Sequence, residues 1–129
     1  MTLAWLIDDE HSDEAERIRD ELIRVGGLAP SGWPVEVANG LLVAERRRRI
    51  HPERSTSVLT ELRTMPIQVA RPPDETIVDA TLAVARHYNL TTYDAAYLEL
   101  AIRERAALAT LDDQLAAAAR QAGIRIVET

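Results

Sequence analysis

"ALATLDDQLAAAARQAGIRIVE", Ala107 to Glu128, reads as strand, helix and strand in succession. Ala107–Leu111 is a short apolar run of strand length. Gln114–Ala122 is rich in alanine, the best helix former, and Gly123 closes it. Ile124–Glu128 returns to β-branched residues. A strand that rejoins its sheet through a helix runs parallel to the one it left, so this segment points to α/β architecture on a parallel sheet.

The alternation extends toward the N-terminus. Ser12–Val25 carries Ala15, Ile18, Leu22 and Val25 at helical spacing and stops at Gly26-Gly27. A short strand is expected over Leu28–Ser31. The next helix starts at Pro34, with Val35, Ala38, Leu41 and Leu42 as its inward stripe and Arg46–Arg49 at its end. Ser55–Arg63 turns Val58, Leu59 and Leu62 inward, and Pro66 with Pro72-Pro73 bracket a strand over Ile67–Ala70. Thr76–His87 is helical, Asn89 breaks it, and Thr92–Arg105 is helical again. The whole reads as one α/β domain, residues 1–129, on a mostly parallel sheet, without repeat or linker.

Composition narrows the chemistry. The chain has 129 residues, 47% hydrophobic and 28% charged, which excludes disorder. No apolar run approaches the roughly 20 residues that span a bilayer. The opening MTLAWLI lacks a basic flank and meets Asp8, Asp9 and Glu10, so a cytoplasmic protein with no membrane partner is expected. Without cysteine there is no disulfide, thiolate ligand or cysteine nucleophile. The net charge of −6 argues against a protein that coats nucleic acid. All 15 basic residues are arginine, which excludes a P-loop lysine and Schiff-base chemistry.

Ligands of open parallel sheets sit beyond the carboxyl ends of the strands, where the next helices begin. Three acids fall there: Glu36 after the strand at Leu28, Asp94 at the head of "LTTYDAAYLELA", and Asp112 in "ATLDDQL". Asp94 shares a helical face with Leu98 and Ala101, which turns its carboxylate inward. Two readings stand side by side. Thr91-x-x-Asp94 matches a capping box, Glu36 suits a helix dipole, and Asp112 or Asp113 suits an N-cap. Alternatively the acids converge on a hard cation, Mg²⁺ or Mn²⁺, with Thr110 as a hydroxyl beside the last acid.

The segments "AWLIDDE", "PVEVANGLL", "LTTYDAAYLELA" and "LATLDDQL" together resemble the PIN domain family, in particular its VapC-type toxins. The resemblance covers essentially the whole chain in family order. It implies a three-layer α/β/α fold with a mostly parallel central sheet, and a Mg²⁺-dependent endoribonuclease that cleaves RNA and is inhibited by a small antitoxin. Glu36, Asp94 and Asp112 match three of the family's four acidic positions and are the expected catalytic and metal-binding residues. Thr110 matches the hydroxyl before the last acid, and Asp113 adjoins the matched position. The resemblance also implies a homodimer.

The chain departs from the pattern at its start. The family's first aspartate, which ends an apolar strand just before the "AWL" segment, has no counterpart, and Met1 falls inside that region. Asp8 and Asp9 lie after the first apolar turn and are expected to solvate the loop before Ser12. An upstream start that restores strand and aspartate is one expectation. A catalytically impaired PIN-like protein that sequesters an antitoxin is the alternative function. Arg46–Arg49 reads as a solvated helix end or as a patch for RNA or antitoxin. His11, His51 and His87 share no ligand spacing and read as surface residues, while Trp5 and Trp33 read as core or interface anchors.

Overall fold

A computed structural model describes residues 13–127, apart from the side chains of Glu14 and Ala15. The expectations placed on Trp5, Asp8, Asp9, His11 and Ser12 lie outside the described residues. The element order is α1 (Asp13–Val25), β1 (Gly27–Ala29), α2 (Trp33–Arg46), α3 (Pro52–Arg63), β2 (Ile67–Val69), α4 (Glu75–Tyr88), α5 (Thr92–Glu104) and α6 (Asp113–Gln121). The chain packs as two compact units: one runs to Leu28 and resumes over Gly32–Val69, the other comprises Ala29–Ser31 and the chain from Ala70 onward.

In the first unit α1 buries Ile18 and ends at Gly26, whose φ of 78° is a left-handed turn that glycine adopts without strain. Gly27 is equally constrained, because a Cβ there would meet Leu22 Cδ2 at 2.5 Å. Val25, expected inward, is exposed. The Gly27 N–H donates to Pro66 O at 2.9 Å, and the Ala70 N–H donates to Ala29 O, both of the second unit, at 2.8 Å. This staggered register makes β1 and β2 a parallel pair, two-stranded among the described residues.

Helix α2 carries Pro34 in its first turn, where the missing N–H costs nothing. Its buried stripe is Val37, Leu41 and Ala44, not the expected Val35, Ala38, Leu41 and Leu42. Val35 is 74% exposed and Leu42 40% exposed. Both stripes have helical spacing, and the choice between them is made by the partner α3 rather than by α2 itself. The helix closes with Arg48 at φ 58° while Arg49 N–H donates back to Ala44 O at 2.9 Å, the six-to-one bond of a Schellman end. Helix α3 begins three residues before the expected Ser55, because Pro52 supplies a first turn after extended His51. It buries Val58 and Leu62, and also Ser55, whose hydroxyl donates to Glu45 Oε2 at 2.6 Å.

The second unit is built on α5. Asp74 caps α4 by accepting the Ile77 N–H at 2.9 Å, and Asn89 ends it in the left-handed conformation that asparagine tolerates. Helices α4 and α5 pack together, and Leu98 and Ala101 of α5 join Leu108, Leu115, Ala116, Ala118, Ala119 and Ile126 in a buried cluster. The alanines of α6 let the neighbouring backbone approach closely, while Leu98 and Leu115 supply bulk worth about 1.5–3 kcal/mol each on burial. The strands expected at Ala107–Leu111 and Ile124–Glu128 reduce to one parallel bridge between Leu108 and Ile126, with Leu108 N–H to Arg125 O and Val127 N–H to Leu108 O both 2.9 Å. Glu128 is outside the described residues. The parallel α/β class expected from the sequence is therefore observed, with shorter strands. No described helix is long and apolar enough to cross a membrane.

Candidate acidic site

The start of α5 is set by Thr91, an extended residue whose hydroxyl oxygen accepts the Asp94 N–H at 3.1 Å. That bond satisfies one of the orphan donors of the first turn. Asp94 is half-buried, while Tyr93 beside it is exposed and Ala95 after it is fully buried. Leu98 and Ala101 continue the inward face, as the spacing predicts.

The start of α6 uses the same device with an acid. Asp112 is the N-cap, and its Oδ1 accepts the Leu115 N–H at 2.8 Å. Thr110 supports the turn by accepting the Asp112 N–H on its hydroxyl oxygen at 3.0 Å. Asp113 is the first helical residue and is exposed. The capping reading of Asp112 is thus realised in the structure. It engages one carboxylate oxygen and is compatible with a second partner, since a carboxylate offers about four acceptor sites.

One further residue, which the sequence did not single out, ties these two starts. Gln114 Nε2 donates to Asn89 O at 3.0 Å. Asn89 ends α4 two positions before the Thr91 cap, so the heads of α5 and α6 adjoin within the second unit, and α5 and α6 pack together. Each head carries roughly half a positive charge from its dipole and each bears an acid. No local pattern announces the bond, because its partners are 25 positions apart.

Glu36 belongs to the first unit, exposed in the first turn of α2, and is engaged in an interaction of its own. Among the described residues no three or more histidine, aspartate or glutamate side chains form a group that could hold a metal ion. In kind, the donors available suit Mg²⁺ or Mn²⁺. They are carboxylate oxygens at helix heads, and Mg²⁺ is commonly held by one or two carboxylates with the remaining positions left to water and substrate phosphate.

A buried acid on α5 belongs to a different feature. Glu99 receives both Nε and Nη2 of Arg103, at 3.0 Å to Oε2 and 3.1 Å to Oε1. The hydrogen bond to Glu99 raises the Arg103 pKa above its ordinary value, with Glu104 and Asp74 adding to the field and burial opposing it. Glutamate four residues before arginine on one helix is a pairing legible in the sequence.

Two comparisons bear on the site. The PIN domain family model matches residues 2–121. Ribonuclease VapC3 of Pyrobaculum aerophilum is 30% identical over 113 residues, which cover 88% of this chain and 85% of that protein.

Proposed function

The chain belongs to the PIN domain family, VapC type, and on that premise we propose that it is a metal-dependent endoribonuclease, the toxin of a toxin–antitoxin pair. The observation that supports this reading is the Gln114–Asn89 bond, which ties the head of α6, capped by Asp112, to the end of α4 two residues before the cap of α5. Asp94 and Asp112 are the residues that would hold Mg²⁺ or Mn²⁺, and Glu36 is proposed as a further metal-binding residue only from its match to the family's acidic positions. A bound divalent cation would supply activation of water and stabilisation of the leaving oxygen of a phosphodiester.

The protein's own part is to hold the carboxylates in place. Thr91 and Thr110 tie down the backbone under Asp94 and Asp112, so neither acid relies on a free loop for its position. Thr110 supports that end of α6, and Asp113 is its first, exposed residue. The substrate proposed is single-stranded RNA, and the partners proposed are a small antitoxin and a second copy of the chain.

Incubating the protein with single-stranded RNA and Mn²⁺, beside Asp94→Asn, tests the reading. Mn²⁺-dependent cleavage by the wild type alone is expected. Equal cleavage by both would remove Asp94 from the chemistry. The N-cap bond of Asp112 favours a second reading, in which the acids serve mainly to cap helices and the protein sequesters an antitoxin without cutting RNA. Antitoxin binding with no cleavage under any divalent cation would establish that alternative.

A further inference from the structure

We propose that the arginine turn between α2 and α3 grips the phosphate backbone of single-stranded RNA, an inference that rests on the ribonuclease reading for the identity of its ligand. The segment ERRRRIHPER, Glu45 to Arg54, holds five arginines against two glutamates, a local balance of +3 in a chain whose total is −6. One of the two acids, Glu45, already accepts the Ser55 hydroxyl. Arg46, Arg47, Arg48 and Arg49 are all exposed.

Their succession sets them apart: the other arginines stand singly along the chain, and Arg19, Arg24 and Arg103 lie against acids of their own helix. Among the described residues the side chains of Arg46, Arg47 and Arg48 make no hydrogen bond or ion pair. A helix dipole accounts for a cation at Arg46, the last helical residue, but not for those beyond the helix end.

Arg48 sits at the corner of the turn. Its φ of 58° is a left-handed conformation that glycine or asparagine would hold with less strain. Arg105 takes the same conformation, φ 54°, at the end of α5, so the angle marks a helix end and places Arg48 at that corner. Guanidinium groups suit phosphate oxygens through paired N–H donors. An acidic protein that handles a polyanion needs such a local reversal of sign.

The turn cannot reach the acid on its own helix. Glu36 and Arg46 are at opposite ends of α2, ten residues apart and so about 15 Å along the axis. The cations therefore meet nucleotides along the strand from Glu36, and their contribution is to affinity and register rather than to bond cleavage.

Fluorescence anisotropy of a single-stranded oligoribonucleotide in EDTA, across a salt series, tests this without any cleavage. The triple variant Arg46→Gln, Arg47→Gln, Arg48→Gln should flatten the slope of log affinity against log salt by about 2, at about 0.7 per phosphate contact on a single strand. Arg48→Gly removes one cation while relieving the left-handed strain, so it should fold at least as well and flatten the slope by about 0.7. The exposed Arg120→Gln serves as control and should leave the slope unchanged. An unaltered slope in both the triple variant and Arg48→Gly overturns the inference. So does a triple variant that binds RNA normally but loses affinity for a glutamate-rich peptide, which would make the turn a docking surface for protein. Arginine-dependent binding by a wild type that cleaves nothing with Mn²⁺ would keep the grip and retract the nuclease.

Discussion

The side-chain amide of Gln114 and the carbonyl oxygen of Asn89 are joined at 3.0 Å across 25 positions of chain. The bond couples the head of α6 to the end of α4, and through it to the cap of α5. Gln114→Ala should cost less than about 1.5 kcal/mol of stability, as for a neutral hydrogen bond near solvent. It should lower Mn²⁺-dependent cleavage by about tenfold or more, because small displacements of reacting groups are expensive. Melting curves and single-turnover cleavage on the same preparations separate the two effects. Loss of stability without loss of activity would make the bond purely structural.

Asp112 allows its two roles to be divided. Asparagine caps helices as well as aspartate does, so Asp112→Asn should keep stability within a few tenths of a kcal/mol while abolishing Mn²⁺-induced thermal stabilisation. Asp112→Ala should lose about 1 kcal/mol as well, since the Leu115 N–H loses its acceptor. Calorimetry that finds Mn²⁺ binding intact in Asp112→Asn would leave Asp112 as a cap alone.

Glu99 is 9% exposed in its side chain and its partner Arg103 35% exposed. Arg103→Met should leave that carboxylate buried without its cation, at about 1–3 kcal/mol, the range for an unsatisfied buried group after allowing for solvent on the arginine side. The Arg103 pKa is raised on folding, so its stabilisation is fully present below the unfolded value and is lost only as pH rises through the folded one. Above the ordinary carboxylate range, the stability gap between wild type and Arg103→Met should therefore stay flat through neutral and mildly alkaline pH. A gap that closes near neutrality, seen in urea melts at several pH values, would contradict the pairing.

The proposed homodimer would have about twice the chain mass of 14.4 kDa by light scattering. Val78 and Leu82, one turn apart on α4, are exposed apolar side chains within the second unit. If they line the contact, Val78→Lys with Leu82→Lys should yield the single-chain mass, because charges at the centre of an interface are poorly tolerated. A dimer that persists in this variant places the contact elsewhere.

The parts of the fold written in local chemistry were legible. Asn89 as a break, Thr91 as a cap and the spans of α4 and α5 all follow from residues within a turn of where they act. The inward face of α2 was not. Val35 and Leu42 fit a helical stripe as well as Val37 and Ala44 do, and only the position of α3 chooses between them. Strand length was misjudged for a related reason. Ala107–Leu111 has strand composition throughout, yet a residue counts as strand only where a neighbour pairs with it, and among the described residues pairing is limited to Leu108 with Ile126. Of the proposed site, the helix-head positions of Asp94 and Asp112 are legible in their motifs, whereas the Gln114 bond is invisible because its partner is remote in sequence.

The bond from the Ser55 hydroxyl to Glu45 at 2.6 Å has a consequence for the arginine turn that it spans. It converts the segment between its ends into a hoop, closed at the base, whose tip projects the guanidinium groups. Doubling the length of a flexible loop adds only about 0.6 kcal/mol of closure entropy. Residues inserted at Arg47–Ile50 should thus be tolerated by the fold, since the clasp rather than the hoop's circumference secures α2 to α3. The tip is free to vary in reach while its base stays fixed, so relatives could lengthen or shorten this projection without rebuilding the helices that carry it.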